Sequence, residues 1–495
     1  MRLTWKTLVQ IGLIVVAFFY YVFFLNKGIV LYDEGYYVHL SERILQGETP
    51  FQDFFTNYSP GYFYLLAGLF KVFGPHLLVG RIVNLFVCLG IIAGCFYILK
   101  LLKADSFKHI ILSFLLLVSF GFPLVNISHM NWLGVLGTEA IVILYLFWLT
   151  KQKKLYLLLG GFVLGLMVFF KHNVGLPVAL ATNFLVFVVS KSFKEKLLSS
   201  LWLNFGLVLI TLAWFLPIFG KEPSLIFVWT NWLANYHSAF PASFPPLSFL
   251  FQPLGVFKLL PYYWPIILAI TFIPYFFSSK RNFGLIAFCL LPTLGLAVSI
   301  YPASDLLHLY PFLALCVIAF LTYHHLEKSL KPLLFVTTLV LIGIGFYLSI
   351  FREYYRYDLP YRNHTTPLSM PRAKGILTEA KLAQELTLLY EFIDQNSEKN
   401  EPIVVYPFSP LIYFLTDRPN ASSEPIFYPR FYAAYPEEKV LAEMQKKKVR
   451  YIVASGEYTN DSLLSEVIQE LEIAKDFGHF KVFTFNGPVY YHLKQ

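Results

Sequence analysis

The sequence predicts a polytopic α-helical membrane protein of about eleven spans that ends in a small extracytoplasmic α/β domain. Three observations carry this. Hydrophobic residues make up 57% of the 495 and charged residues only 14%, against about 45–50% and about 25% in soluble domains. Long apolar segments recur throughout residues 1–350. From Phe351 onward the composition turns charged and amphipathic.

A spanning helix needs about 20 mostly apolar residues, because each adds about 1.5 Å toward a hydrocarbon core about 30 Å thick. Segments that meet or approach this lie at about 8–27, 77–99, 109–127, 132–150, 155–170, 173–190, 198–219, 258–277, 283–300, 309–325 and 332–350. The N-terminal stretch lacks a small-residue cleavage site before Asn26 and reads as a retained first span.

Short loops rich in Lys and Arg stay in the cytoplasm. On this topology 15 of the 22 basic residues before position 351, but only 3 of the 11 acidic ones, fall on cytoplasmic segments, among them Arg2/Lys6, Lys100/Lys103/Lys108 and Lys151/Lys153/Lys154. The formal net charge of +9 is thereby explained by topology, and a nucleic-acid partner is not expected. An odd number of spans with the N-terminus inside puts residues 351–495 outside the cytoplasm. The expected domains are therefore a membrane domain, 1–350, with its first external loop at 28–76, and an extracytoplasmic domain, 351–495. Cys88, Cys95, Cys289 and Cys316 all fall within predicted spans, so disulfides are not expected.

In the tail, helix-like stretches at about 378–396, 436–447 and 460–472 alternate with strand-like runs at 402–406, 450–453 and 481–485. It contains no phosphate loop, metal-ligand spacing or nucleophile elbow. A lid, acceptor-binding or docking role is expected of it.

The external loop 28–76 holds Asp33, Glu34, Glu42, Glu48 and Asp53, five of the 11 acidic residues of the first 350. After Tyr32-Asp33-Glu34-Gly35-Tyr36-Tyr37 an amphipathic stretch runs to Gln46, with a helix expected over 34–46, and stops at Gly47. Ser59-Pro60 then starts a helix that Gly74-Pro75 ends; at about 21 Å it is too short to span, and it is expected to lie along the membrane surface. A carboxylate at the edge of a hydrocarbon slab is costly unless hydrated, paired or bound to metal, and its position suits general-base work. Asp33 or Glu34 thus either activates an acceptor or simply complements a helix dipole.

Three further groups stand out. Asp305 and His308 are one helical turn apart in a short external link, able to share a ligand or to act as helix cap and solvated ring. Lys171-His172 sits at an external turn, where a cation suits a lipid phosphate, although a snorkelling Lys looks the same. Arg81, at the outer start of the second span, poses the same choice. Glu139 is the one carboxylate well inside a span; it either positions substrate or bonds a neighbouring helix.

These residues resemble a known group. Asp33-Glu34 after the first span, Gly47-x-x-Pro50-x-x-Asp53, Tyr58-x-Pro60-Gly61-Tyr62-x-Tyr64, Phe73-Gly74 and Arg81 resemble the GT-C superfamily of integral-membrane glycosyltransferases. The likeness is strongest to the family 39 and 83 group, which includes protein O-mannosyltransferases and lipid A aminoarabinose transferases. Phe170-Lys171-His172-Asn173-x-Gly175 and Tyr301-Pro302-x-x-Asp305-x-x-His308 resemble further blocks of the bacterial members. The resemblance covers the chain to about residue 325, the tail matching only in position and size.

The resemblance implies a glycosyltransferase that moves a sugar from a polyprenyl-phosphate carrier to an extracytoplasmic acceptor. Asp33 would be the base, with Glu34 assisting it or binding acceptor, and Tyr58, Arg81, Lys171, His172, Asp305 and His308 would contact substrate. No cofactor is required; a divalent cation is compatible with the chemistry. The acceptor, whether glycan, lipid or protein, is not legible. The alternatives are a lipid-linked sugar flippase or transporter, a polysaccharide polymerase or ligase, and a noncatalytic envelope protein.

Overall fold

The structure is a computed structural model describing residues 4–230, 245–252, 255–279, 281–300, 306–327, 331–351, 361–427, 437–456 and 463–485. Helices occupy every segment expected to span: α1 (Trp5–Phe24), α4 (Leu77–Leu101), α5 (Phe107–Ser119), α6 (Asn131–Lys151), α7 (Lys154–Val189), α8 (Phe193–Phe219), α9 (Gly255–Phe276), α10 (Phe283–Ser299), α11 (Leu306–Glu327) and α12 (Lys331–Phe351). Between α1 and α4 lie α2 (Asp33–Leu45) and α3 (Gly61–Phe73). Among the described residues nine helices are long and apolar enough to cross a membrane, and α3 and α10 are shorter apolar helices.

The segments expected at 155–170 and 173–190 are both in α7, which breaks at Lys171 (φ −154°, ψ 82°). The break is a reversal. A Cβ on Gly175 would lie 2.6 Å from the backbone nitrogen of Val168, seven residues back, where a straight helix would separate them by about 10 Å. The first arm runs parallel to α8: a Cβ on Gly161 would meet Leu203 and Leu207, one on Gly165 would meet Ile210, and Phe169 stacks on Trp214. The second arm runs antiparallel to it, with Asn183 and Asn204 exchanging amide hydrogen bonds of 3.2 and 2.8 Å. The polar triplet Lys171-His172-Asn173 is therefore a turn between two arms.

α2 ends before Gly47, whose φ of 98° suits glycine. α3 follows Pro60, which occupies the cap position without a side-chain bond. The hydroxyl of Ser59 serves elsewhere, as described below. One face of α3 packs inward, while Tyr64, Val72 and Phe73 remain exposed.

The tail forms a four-stranded sheet in the order β3 (Val404–Tyr406), β4 (Tyr451–Ser455), β6 (Phe480–Thr484), β5 (Glu472–Asp476), with β3 and β4 parallel and the other pairs antiparallel. Helices α13 (Ala380–Asn396), α14 (Leu411–Thr416), α15 (Glu437–Lys446) and α16 (Leu463–Gln469) accompany it, and β1 (Thr366–Pro367) pairs with β2 (Leu377–Thr378). The helical expectation at 460–472 ends short, at Gln469, and β5 follows. Every residue of that edge strand is exposed, so it lacks the alternation that marks a strand.

The tail docks on the first loop and shares one core with α2 and α3. Gly28 donates to the Leu377 carbonyl and Leu377 to that of Asn26, each at 2.8 Å. Leu411 donates to Leu31 at 3.2 Å and Phe55 to Ser423 at 2.9 Å. Arg372 pairs with Glu42 and Asp417, and His39 stacks on Tyr413 with ring centroids 4.5 Å apart. Gly35 is needed here, because a Cβ would stand 2.2 Å from the Leu411 nitrogen.

Candidate functional site

Asp33 opens α2 and is partly exposed, whereas its neighbour Glu34 is fully buried. Glu34 forms a two-point ion pair with Arg81 of α4, Nε–Oε1 2.7 Å and Nη2–Oε2 2.6 Å, and its Oε1 also accepts from the backbone of Ser128 at 3.4 Å. The remaining Arg81 donors reach the carbonyls of Leu25, Lys27 and Gly28. All five guanidinium N–H groups are thus engaged by protein. The pair pins the chain leaving α1 to the start of α2 and so fixes where Asp33 emerges.

Tyr37 lies one turn beyond Asp33 on the same helical face. Its hydroxyl is 3.2 Å from Nε2 of His129, and Tyr58 stacks on its ring with centroids 6.0 Å apart. His129, in the link before α6, takes the backbone N–H of Asn131 at Nδ1, 3.1 Å. Asn131 holds the Lys171 ammonium through Oδ1 and donates to the Leu307 carbonyl at 3.0 Å. His308 presents its ring to His129 at 6.3 Å. The α2 face, the start of α6, the α7 reversal and the start of α11 therefore converge.

His172, next to Lys171, makes its own contacts. The Ser59 hydroxyl is 2.8 Å from its Nδ1, and Trp229 packs edge-on against its ring at 5.0 Å while donating to the Asn57 carbonyl at 3.5 Å. Asp305, together with Tyr301 and Pro302, lies outside the described residues. Glu139 is buried against Gly94, and neither carboxyl oxygen has a hydrogen-bond partner among the described residues.

Three residues of this convergence were not among the sequence candidates: Tyr37, His129 and Asn131. A signal existed. Asn126, Ser128, His129 and Asn131 put four polar groups within six positions at the entry to an apolar helix, in a stretch without Lys or Arg. Among the described residues no group of three or more His, Cys, Asp or Glu is placed to hold a metal ion.

No protein-family model and no curated protein matches the chain. Solved structures do. ArnT from Cupriavidus metallidurans, solved bound to undecaprenyl phosphate, superposes with a TM-score of 0.60 at 13% identity, covering 97% of this chain and 98% of that one. The oligosaccharyltransferase of Archaeoglobus fulgidus, in complex with Zn and sulfate, gives 0.50 at 12% identity over 90% and 68% of the two chains. The mycobacterial arabinofuranosyltransferase AftD gives 0.50 at 10% identity, with 96% of this chain covering 40% of that one. All three are GT-C glycosyltransferases. At such identities the likeness is one of fold: the chain is a multi-pass membrane protein with GT-C architecture. For ArnT it includes the C-terminal domain, beyond the residue-325 limit of the sequence resemblance.

Proposed function

We propose that this protein is a membrane glycosyltransferase that moves a sugar from a polyprenyl-phosphate carrier to an extracytoplasmic acceptor, with Asp33 as general base. The observation that carries the proposal is the approach of the α2 face bearing Asp33 to the Lys171 cation, through Tyr37, His129 and Asn131, in a fold whose relative holds undecaprenyl phosphate.

The chemistry is a displacement at the anomeric carbon. Asp33 removes the proton of the acceptor hydroxyl or amine, that oxygen or nitrogen bonds to the anomeric carbon, and the bond to the phosphate oxygen breaks. Charge develops on the departing lipid phosphate, where a positioned cation or hydrogen-bond donor stabilises it. Lys171 is the cation assigned to it, with His308 bordering the same space and Tyr58 lining the Asp33 side. Direct displacement inverts the donor's anomeric configuration. A divalent cation, were one used, would draw on Asp33 as a carboxylate ligand and would supply positive charge for the departing phosphate; the neighbour solved with Zn makes this worth testing.

The N-terminus is assigned to the cytoplasm. Lys6 pairs with Asp105 at 3.2 Å, among the Lys-rich connections, whereas Gly28 and Leu377 join the first loop to the tail at the opposite end of α1. The positive-inside rule then puts the tail and Asp33 outside. A reporter fused after Gln495 and active only in the cytoplasm would reverse this assignment.

The decisive experiment compares envelope glycans and lipid-linked sugars, by mass spectrometry, in cells carrying the native gene, no gene, or Asp33→Asn. The native gene alone should yield the glycosylated acceptor, with Asp33→Asn equal to the null at normal protein level. Full transfer by Asp33→Asn would remove Asp33 as base.

A further inference from the structure

We infer that His129 is a positioning residue of the transfer site: with Asn131 it forms a bracket that fixes the distance between the Asp33-bearing helix and Lys171. This rests on the proposed assignment of Lys171 to the lipid phosphate.

The hydrogen bonds determine the state of the ring. Nδ1 of His129 accepts the backbone N–H of Asn131 at 3.1 Å, so it carries no proton, and the ring is neutral with its proton on Nε2. Nε2–H therefore donates to the Tyr37 oxygen, 3.2 Å away, and the phenol proton of Tyr37 is directed away from His129. Asn131 is held three ways: its N–H by His129, its Nδ2 by the Leu307 carbonyl, and its Oδ1 by Lys171. Residues 129–131 thus join α2, α6, the α7 reversal and α11.

The bracket is rigid for local reasons. His129 and Tyr37 are each 1% exposed, and Tyr37 is packed by Tyr58, Tyr62 and Phe63. The backbone here is also fixed, since Asn84 donates to the carbonyls of Ile127 at 2.6 Å and of His129 itself at 3.1 Å. Lys171 stands where α7 leaves helical geometry, so its own helix does not aim it; Asn131 does. Base and cation act on opposite ends of one displacement, and an error of about 1 Å in such spacing is costly.

The test uses full-length protein in detergent, titrated with undecaprenyl phosphate and followed by the fluorescence of its tryptophans, of which Trp229 lies against His172. Asn keeps an acceptor where His carries Nδ1 but ends short of Tyr37. His129→Asn and Tyr37→Phe should each weaken affinity about threefold to tenfold, the worth of one hydrogen bond. Tyr37→Phe/His129→Asn should be no worse than the weaker single variant, because both break one connection. Additive losses in the double variant, or native affinity in both single variants, would each overturn the bracket. Tyr37→Phe removes one oxygen only and keeps the test valid if His129 variants fold poorly. Lys171→Met separates the two claims: if it binds as native, the phosphate assignment has failed; if it loses binding while His129→Asn and Tyr37→Phe do not, only the bracket has failed.

Discussion

Glu34 and Arg81, 47 positions apart in sequence, meet as an ion pair with no exposed side-chain surface, two charge-assisted hydrogen bonds of 2.7 and 2.6 Å joining them. Removing one partner leaves the other charged and buried, a cost of about 3–5 kcal/mol. Glu34→Gln and Arg81→Met should therefore lower the thermal midpoint of the purified protein and its membrane abundance. Undecaprenyl phosphate affinity of the folded fraction should remain within about twofold of native, because Arg81 has no donor to give a ligand. A selective loss of affinity in Arg81→Met at native stability would return Arg81 to the phosphate.

Lys171 carries the opposite expectation. Its replacement by Met keeps length and apolar bulk but removes the cation, so undecaprenyl phosphate affinity should fall about tenfold or more at low ionic strength with little change in thermal midpoint. Titration at two salt concentrations checks this: the native protein should lose affinity in salt and the variant should not.

Gly35→Ala tests whether tail and loop act as one body. The new Cβ would collide with the Leu411 backbone, which cannot yield as a flexible side chain could. The variant should lower the thermal midpoint and make the tail cleavable by added protease while the membrane helices stay intact, read by gel and mass spectrometry. Gly68→Ala, whose Cβ would meet nothing, is the matched control.

The loop–tail junction should also respond to pH. Burial pushes Glu424 up from 4.5 to about 8, opposed by the nearby Lys439 charge, and pushes Glu42 up to about 7 despite its pairing with Arg372. Both carboxyls bind protons more tightly folded than unfolded, so stability is greatest below the unfolded value and is lost as pH rises toward the folded ones. The thermal midpoint should fall between pH 5 and pH 8, and Glu424→Gln should flatten the upper part of that fall. A midpoint that rises over this interval in the native protein would contradict the sign.

The membrane helices were legible because apolar runs of spanning length have few other meanings, and the turn at Lys171 because a charge and two polar residues interrupt one such run. The roles of Glu34 and Arg81 were not. Each looks like a residue awaiting a ligand, and only the fold reveals that each awaits the other. Ser59 illustrates the same limit: its place before Pro60 reads as a helix cap, yet its hydroxyl meets His172 across 113 positions. Strand β5 escaped because an exposed edge need not alternate. His129 escaped because a single neutral ring acquires meaning only from the Tyr37 it faces.

The seam between Gly28 and Leu377 sets an order of assembly. The loop that carries Asp33 leaves the ribosome about 350 residues ahead of the strand that covers it, roughly 20–70 s at 5–20 residues per second. Throughout that interval the face of α2 around Gly35 and His39 lacks Leu411 and Tyr413 as its cover, so a newborn protein must wait, or be chaperoned, with that face bare. A ribosome that stops before the tail therefore releases a complete set of membrane helices with that face of the first loop uncovered.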